Sequence, residues 1–234
     1  MIDYRALLDE CVDEKYRDFN SKLIPGKEGV RGVRAPDIRR IAKMIIKDDW
    51  RAFLDEEPES YEEELLHGLV TATAPMTAEE RLARTEDFLP MVDNWATCDM
   101  FCQSYKVPKK DMESIHHYFV SLMDSNEEFR MRVSLILRMS HFMDVDHVDR
   151  LIEDILAYDN DGYYYKMGAA WALSVCYVHF PERTEDALMS ERLDPEVLKK
   201  AMQKIRDSYR VSQEDKERLT EVVRSKRQYR VFSA

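Results

Sequence analysis

The residue types best suited to chemistry cluster in Asp93-Asn94-Trp95-Ala96-Thr97-Cys98-Asp99. Trp95 and Asp99 are four residues apart, so on a helix both side chains leave one face and can meet one ligand. Asp93 or Asn94 is placed to cap that helix by accepting a bond from a free backbone N–H. An indole face attracts a cation, and a nearby carboxylate stabilises a second centre of positive charge. The stretch therefore suits a substrate that carries or develops positive charge. The same spacing also fits a core tryptophan beside a capping or salt-bridged aspartate, and spacing alone leaves both open.

Other chemistries find less support. His116, His117, His141 and His147 show no metal-ligand spacing with cysteine or with each other, and no metal is expected. The Gly-rich loop from Gly26 to Arg34 lacks a following Gly-Lys-Ser/Thr and is not a phosphate loop. No Ser-His-Asp order is legible. Cys11, Cys98, Cys102 and Cys176 are too few and scattered for a disulfide framework and read as reduced core thiols.

The elements that must position these residues are helical throughout. Apolar positions from Tyr4 through Leu7, Leu8, Cys11, Val12, Tyr16 and Phe19 follow one helical stripe that stops before Pro25-Gly26. Pro36 opens the next helix, with Ile38, Ile41, Ala42 and Ile45 on one side and Arg39, Lys43 and Lys47 as a basic stripe on another. Ser60 with Glu63, and Thr77 with Glu80, read as capping boxes. In the helix expected from Asn126 to Phe142, Arg130, Arg132 and Arg138 are read as projecting charge. Tyr163 to Tyr177 is apolar nearly all round and predicts a buried helix containing Trp171. Asp194-Pro195 and Ser212 open the last two helices. No alternating strand pattern of useful length appears, so the fold class is all-α, with roughly a dozen helices. They come as pairs of about 35 to 45 residues, the cadence of an α-solenoid of HEAT-like repeats with a concave face, taken as one domain over residues 1–234.

The 234-residue chain is 44% hydrophobic, enough for a core, and its formal net charge is −11. That sign weighs against non-specific affinity for phosphate backbones, which depends on Lys and Arg displacing counterions. The charge is uneven: Lys27 to Lys47 holds 7 basic and 2 acidic residues, and Lys199 to Ala234 holds 11 and 5. No apolar leader or membrane-spanning run is present, which predicts a soluble cytoplasmic protein with no membrane partner.

Four places taken together, Gly32-Val33-Arg34-Ala35-Pro36-Asp37-Ile38-Arg39, Asn94-Trp95 with Asp99, Arg132, and Ala169-Ala170-Trp171, resemble the DNA alkylation repair family of HEAT-like-repeat DNA glycosylases, the AlkD type. The likeness in order and spacing runs from about Tyr4 to Arg210. It implies an enzyme that holds double-stranded DNA with alkylated bases and hydrolyses the glycosidic bond of cationic N3- or N7-alkylated purines, without metal or cofactor, as a monomer. Trp95 and Trp171 then match the tryptophans flanking the lesion, Asp99 the catalytic aspartate, and Arg132 the arginine that holds the nearby phosphate. Arg34, Arg39, Lys43, Arg132, Lys166, Lys204 and Arg210 become the expected DNA contacts. A third aromatic used by members of the family has only Phe19 to match it here, with Leu23 nearer the expected register. The alternative is a catalytically silent scaffold of the same family that binds altered DNA or a protein partner.

Overall fold

A computed structural model describes residues 2–231, with side chains described as far as residue 225. The described chain is all-α and divides into two compact units, Met1–Tyr118 and Phe119–Ala234. The first unit contains α1 (Tyr4–Asp9), α2 (Glu14–Leu23), α3 (Ala35–Lys47), α4 (Trp50–Leu54), α5 (Tyr61–Thr73), α6 (Ala78–Phe88) and α7 (Trp95–Ser104). The division falls within α8 (Met112–Ser121), and the second unit holds α9 (Glu128–His141), α10 (Val148–Ala157), α11 (Tyr163–His179), α12 (Pro181–Leu188), α13 (Pro195–Asp207) and α14 (Gln213–Val231).

Each unit shows the stacking of an α-solenoid. In the first, α3 packs on α5 and α5 on α7, while α4 and α6 lie against α5. In the second, α9 packs on α11 and α11 on α13, while α10 and α12 pack on α11 and on each other. The helix starts follow the sequence: Ser60, Thr77, Asn94 and Asp194 all accept from backbone N–H groups in the first turn, as does Ser212 at α14. In α3, Ile38, Ile41, Ala42 and Ile45 are buried, leaving Arg39, Lys43 and Lys47 exposed at four-residue steps.

Two expectations need correction. The stripe from Tyr4 to Phe19 is two helices, because the Asp13 N–H goes to the carbonyl of Gly32 (3.1 Å) and the Asp13 carboxylate caps α2 through the N–H of Tyr16. Arg132 and Arg138 do not project from α9: they are 4% and 0% exposed. Arg138 Nη1 meets Asp154 Oδ2 at 2.6 Å, and a buried guanidinium is tolerated only with such a partner. The sequence reading also passed over α12, where Pro181 opens a helix directly after α11.

The start of α5 anchors the first unit. Glu62, fully buried, accepts from the backbone N–H groups of Arg31 (2.9 Å), Gly32 (2.7 Å) and Val33 (3.1 Å). Glu63, also fully buried, receives Arg5 at 3.1 Å, Arg31 at 2.9 Å and the Ser60 hydroxyl at 3.1 Å. Gly32 has φ +96°, and a Cβ there would lie 2.6 Å from both Arg17 Cβ and the Asp13 carbonyl oxygen, so only glycine fits the turn.

His67, on α5, is 3% exposed with its ring 4.5 Å from that of Phe53, and burial pushes its pKa down to about 4. The folded protein keeps it neutral, whereas an unfolded histidine titrates near ~6.5. Between those values the unfolded chain binds more protons, so this contribution is intact above about pH 6.5 and fades as pH falls toward 4. Urea denaturation at pH 7 and pH 4.5 should show a loss on the order of 2 to 3 kcal/mol from this group. His67→Leu should flatten that part of the slope, and an unchanged slope would assign the acid sensitivity elsewhere.

Candidate functional site

Asn94 builds the start of α7. Its side-chain oxygen accepts from the N–H groups of Ala96 and Thr97, both at 3.0 Å, and its amide donates to Asp93 Oδ1 and Thr97 Oγ1, both at 2.9 Å. With those groups satisfied the cap is fixed, and it sets the direction in which Trp95, the first helical residue, leaves the chain. Thr97, Cys98, Phe101 and Cys102 are buried, whereas Trp95, Ala96, Asp99 and Met100 are half-buried. The tryptophan and the carboxylate thus share the incompletely covered face of α7, as their spacing predicted.

The indole is held by its edge. Trp95 Nε1 donates to the carbonyl oxygen of Leu23 at 2.9 Å, in the last turn of α2, where helix carbonyls lack intrahelical partners. That bond consumes the ring's one donor, so a ligand meets the π-system and not the N–H. Phe19 and Leu23 on α2 are 59% and 44% exposed, large apolar groups left uncovered at four-residue spacing.

Beyond Leu23 the chain turns sharply. Lys27 N–H bonds the Ile24 carbonyl (3.2 Å), Pro25 occupies the first central position and Gly26 the second with φ +85°, a type II turn. Lys27 Nζ then reaches Glu64 on α5 at 2.6 Å and Asp93 at 2.8 Å, with its side chain only 10% exposed. Burial opposes the charge on Lys27, but the bonds to Asp93 and Glu64 outweigh it and raise its pKa above the ordinary lysine value. Glu64 is shifted upward because burial outweighs what Lys27 gives back.

Most of the first basic island is engaged in this way. Arg31 pairs with Asp9 and Glu63, Arg34 with Asp13 (2.9 Å) while lying over the Tyr16 ring, and Arg40 with Asp37. Arg39, Lys43 and Lys47 meet no carboxylate among the described residues. They border a groove of about 490 Å³ with Lys106, over a floor of Ala42, Ile46, Leu69 and Thr73. Lys106 is fixed by its bond to the Thr73 carbonyl, and Arg39 Nη1 bonds Ser104 Oγ at 3.0 Å. Ser104 ends α7, five residues beyond Asp99, about 7.5 Å along the helix axis. One helix therefore runs from the tryptophan and carboxylate to the cationic groove.

In the second unit Arg132 on α9 gives Nη1 to the Tyr164 carbonyl at 2.7 Å and lies against Gly168, where a Cβ would come within 3.3 Å of its Cγ. Tyr164, Gly168 and Trp171 follow i, i+4, i+7 on α11, so Arg132 packs on the stripe that ends in Trp171. Trp171 is half-buried, although its neighbours Ala169, Ala170, Ala172 and Leu173 are fully buried. Of the tyrosine triplet, Tyr165 is core and Tyr163 is 59% exposed. Lys166 lies between Asp194 (3.3 Å), Asp161 and Glu196 (both 3.5 Å), so its charge is met within the unit. Lys204 is half-buried on α13, and Arg210 is exposed with Nη2 3.2 Å from His179 Nε2. Lys226, Arg227 and Arg230 of the second basic island have side chains outside those described. Sequence reasoning missed Lys106 and the contacts of Lys27 and Glu64, for which no local pattern gives a signal.

The sequence pattern of DNA alkylation repair enzymes matches residues 4–205, nearly the whole chain. No curated protein matches it. No helix among the described residues is long and apolar enough to cross a membrane. In a DNA repair setting a groove bordered by four cations is a candidate contact for a phosphodiester backbone. Duplex binding should weaken with salt at a log–log slope of about −3 to −4, one increment of ~0.9 per phosphate met by the four cations. Lys43→Glu with Lys47→Glu should flatten the slope and lower affinity alike on all sequences, as read by fluorescence anisotropy. A double variant that binds like the wild type would remove the groove from the interface.

Proposed function

The chain belongs to the DNA alkylation repair enzyme family, and we propose that this member is a metal-independent DNA N-glycosylase acting on cationic N3- or N7-alkylated purines in duplex DNA. The observation that carries the reading is the α7 pair: an indole whose N–H is already bonded to Leu23, and a carboxylate one turn further along the same half-open face. An alkylated purine with a formal positive charge gains from the indole face by about 0.5 to 2 kcal/mol, more as water is excluded. As the C1′–N bond breaks, the bonding electrons return to the purine, which leaves neutral, so no general acid is needed. The positive charge passes to the sugar as an oxocarbenium-like centre. Asp99 stabilises that centre and orients the water whose oxygen adds to C1′, the released proton passing to the carboxylate or solvent.

Trp171 takes the part of the second tryptophan, supported by its half-open position on α11. Arg132 takes that of the phosphate-binding arginine on the strength of the resemblance. Its direct contacts within the second unit, to the Tyr164 carbonyl and Gly168, hold the helix that bears Trp171. Arg39 and Lys43, joined by Lys47 and Lys106, take the backbone.

Single-turnover release of N7-methylguanine and of a neutral base such as hypoxanthine tests the reading. Asp99→Asn keeps size and hydrogen-bonding capacity but loses the charge, so it should leave duplex affinity nearly intact and slow release of the cationic base by on the order of 10²-fold or more. Trp95→Ala should slow release of the cationic base and change little for the neutral one, which gains little from the π-face. A wild-type protein that binds both duplexes and releases neither base would transfer the family membership to a binding scaffold.

A further inference from the structure

The lysine that ends the turn after α2 has no part in the mechanism above, yet its contacts close a ring around Trp95. From Leu23 the ring runs through buried Ile24, the Pro25-Gly26 turn and Lys27 Nζ, crosses to Asp93 at 2.8 Å, and passes through the Asn94 cap to Trp95. It closes where Trp95 Nε1 returns to the Leu23 carbonyl at 2.9 Å. The two segments are 66 residues apart at the Lys27–Asp93 contact and 72 at the Trp95–Leu23 contact, so nothing in the local chain brings them together. A third link, from Lys27 to Glu64 on α5, fixes the ring to the core of the first unit.

Two attachments decide more about an indole than one. Trp95 packs against the core of the first unit on one side only, and a lone hydrogen bond from Nε1 sets the tilt of its open side loosely, because the carbonyl acceptor has a broad angular preference. The turn from Ile24 to Lys27 fixes the Leu23 carbonyl relative to the ammonium, and the ammonium fixes the turn relative to Asp93, next but one to the tryptophan. We propose that Lys27 is a positioning residue for Trp95: by clamping the 23–27 turn to Asp93 and Glu64 it fixes the plane of the indole, and with it the preference of the site for a positively charged base.

Preference for a cationic base rests on the glycosylase reading, whereas the orientation of the indole does not. Charge is needed at residue 27 because two carboxylates face it, and reach is needed because Glu64 and Asp93 belong to different segments. Arginine meets both needs, and methionine fills the space without either.

The test uses the ¹⁵N-labelled full chain. Its three tryptophans give three indole signals, with that of Trp95 assigned by its loss in Trp95→Phe. In Lys27→Met the Trp95 indole N–H should exchange with solvent about tenfold faster or more while the signals of Trp50 and Trp171 hold still, and Lys27→Arg should restore protection. Single-turnover release should follow: Lys27→Met slows the cationic base by about tenfold and leaves the neutral base near the wild-type rate, with rescue by arginine. Should Lys27→Met fail to fold, Asp93→Asn takes its place, since Asp93 is 57% exposed and its loss removes only one link of the clamp. Unchanged exchange of the Trp95 indole in the folded variant overturns the positioning role whatever the activity. Faster exchange in Lys27→Met, together with a wild-type protein that releases neither base, keeps the positioning role and overturns the glycosylase reading.

Discussion

The first unit depends on negative charge held at the start of α5. Glu62, Glu63 and Glu64 are consecutive, lie where the helix dipole favours anions, and each collects its own set of donors. Glu62 collects three backbone N–H groups of the 31–33 loop, Glu63 collects Arg5 and Arg31, and Glu64 collects Lys27. Hydrogen bonds to a charged acceptor are worth about 1.5 to 3 kcal/mol each, and stranding one partner of a buried set costs more than the set contributes. Helix α1, the loop ahead of α3 and the turn after α2 are thereby referred to one helix terminus, and Trp95 inherits its position from that reference.

The same arrangement takes up part of the first basic island, Glu64 engaging Lys27 and Glu63 engaging Arg31. In the stretch from Lys27 to Lys47 the first cations are paired with carboxylates of their own unit, Lys27 almost covered and Arg34 at the surface, and the stripe Arg39, Lys43, Lys47 is left to face outward, joined by Lys106. A chain of net charge −11 repels a polyanion at long range, but beyond about 8 Å at physiological salt that repulsion is screened. At contact distance the potential over the groove is set by Arg39, Lys43, Lys47 and Lys106, so the overall charge is a poor guide to this surface.

What was legible in the sequence was local. The Asn94 cap, the four-residue spacing of Trp95 and Asp99, the basic stripe of α3 and the caps at Ser60, Thr77 and Asp194 are patterns within one or two helical turns, and the structure repeats them. What failed depended on groups distant in the chain. The break between α1 and α2 needs the Gly32 carbonyl, the burial of Arg138 needs Asp154, and the role of Lys27 needs Asp93. A periodic stripe cannot show that a carbonyl from another loop will interrupt it, nor can an arginine on a helix announce the carboxylate that lets it enter the core.

Gly32 carries a consequence for how this protein can change over evolutionary time. Its positive φ and the 2.6 Å approach to α2 bar any side chain, and the loop it belongs to delivers Arg31, Val33 and Arg34 to their places. Every missense change to its codon therefore loosens the start of α2, the entry to α3 and the bonds to Glu62 in a single step. Exposed Phe19 and Leu23, by contrast, can be exchanged without disturbing the core. Divergence within this unit is steered away from that loop and toward uncovered positions such as these two on α2, which can drift while the scaffold stays fixed.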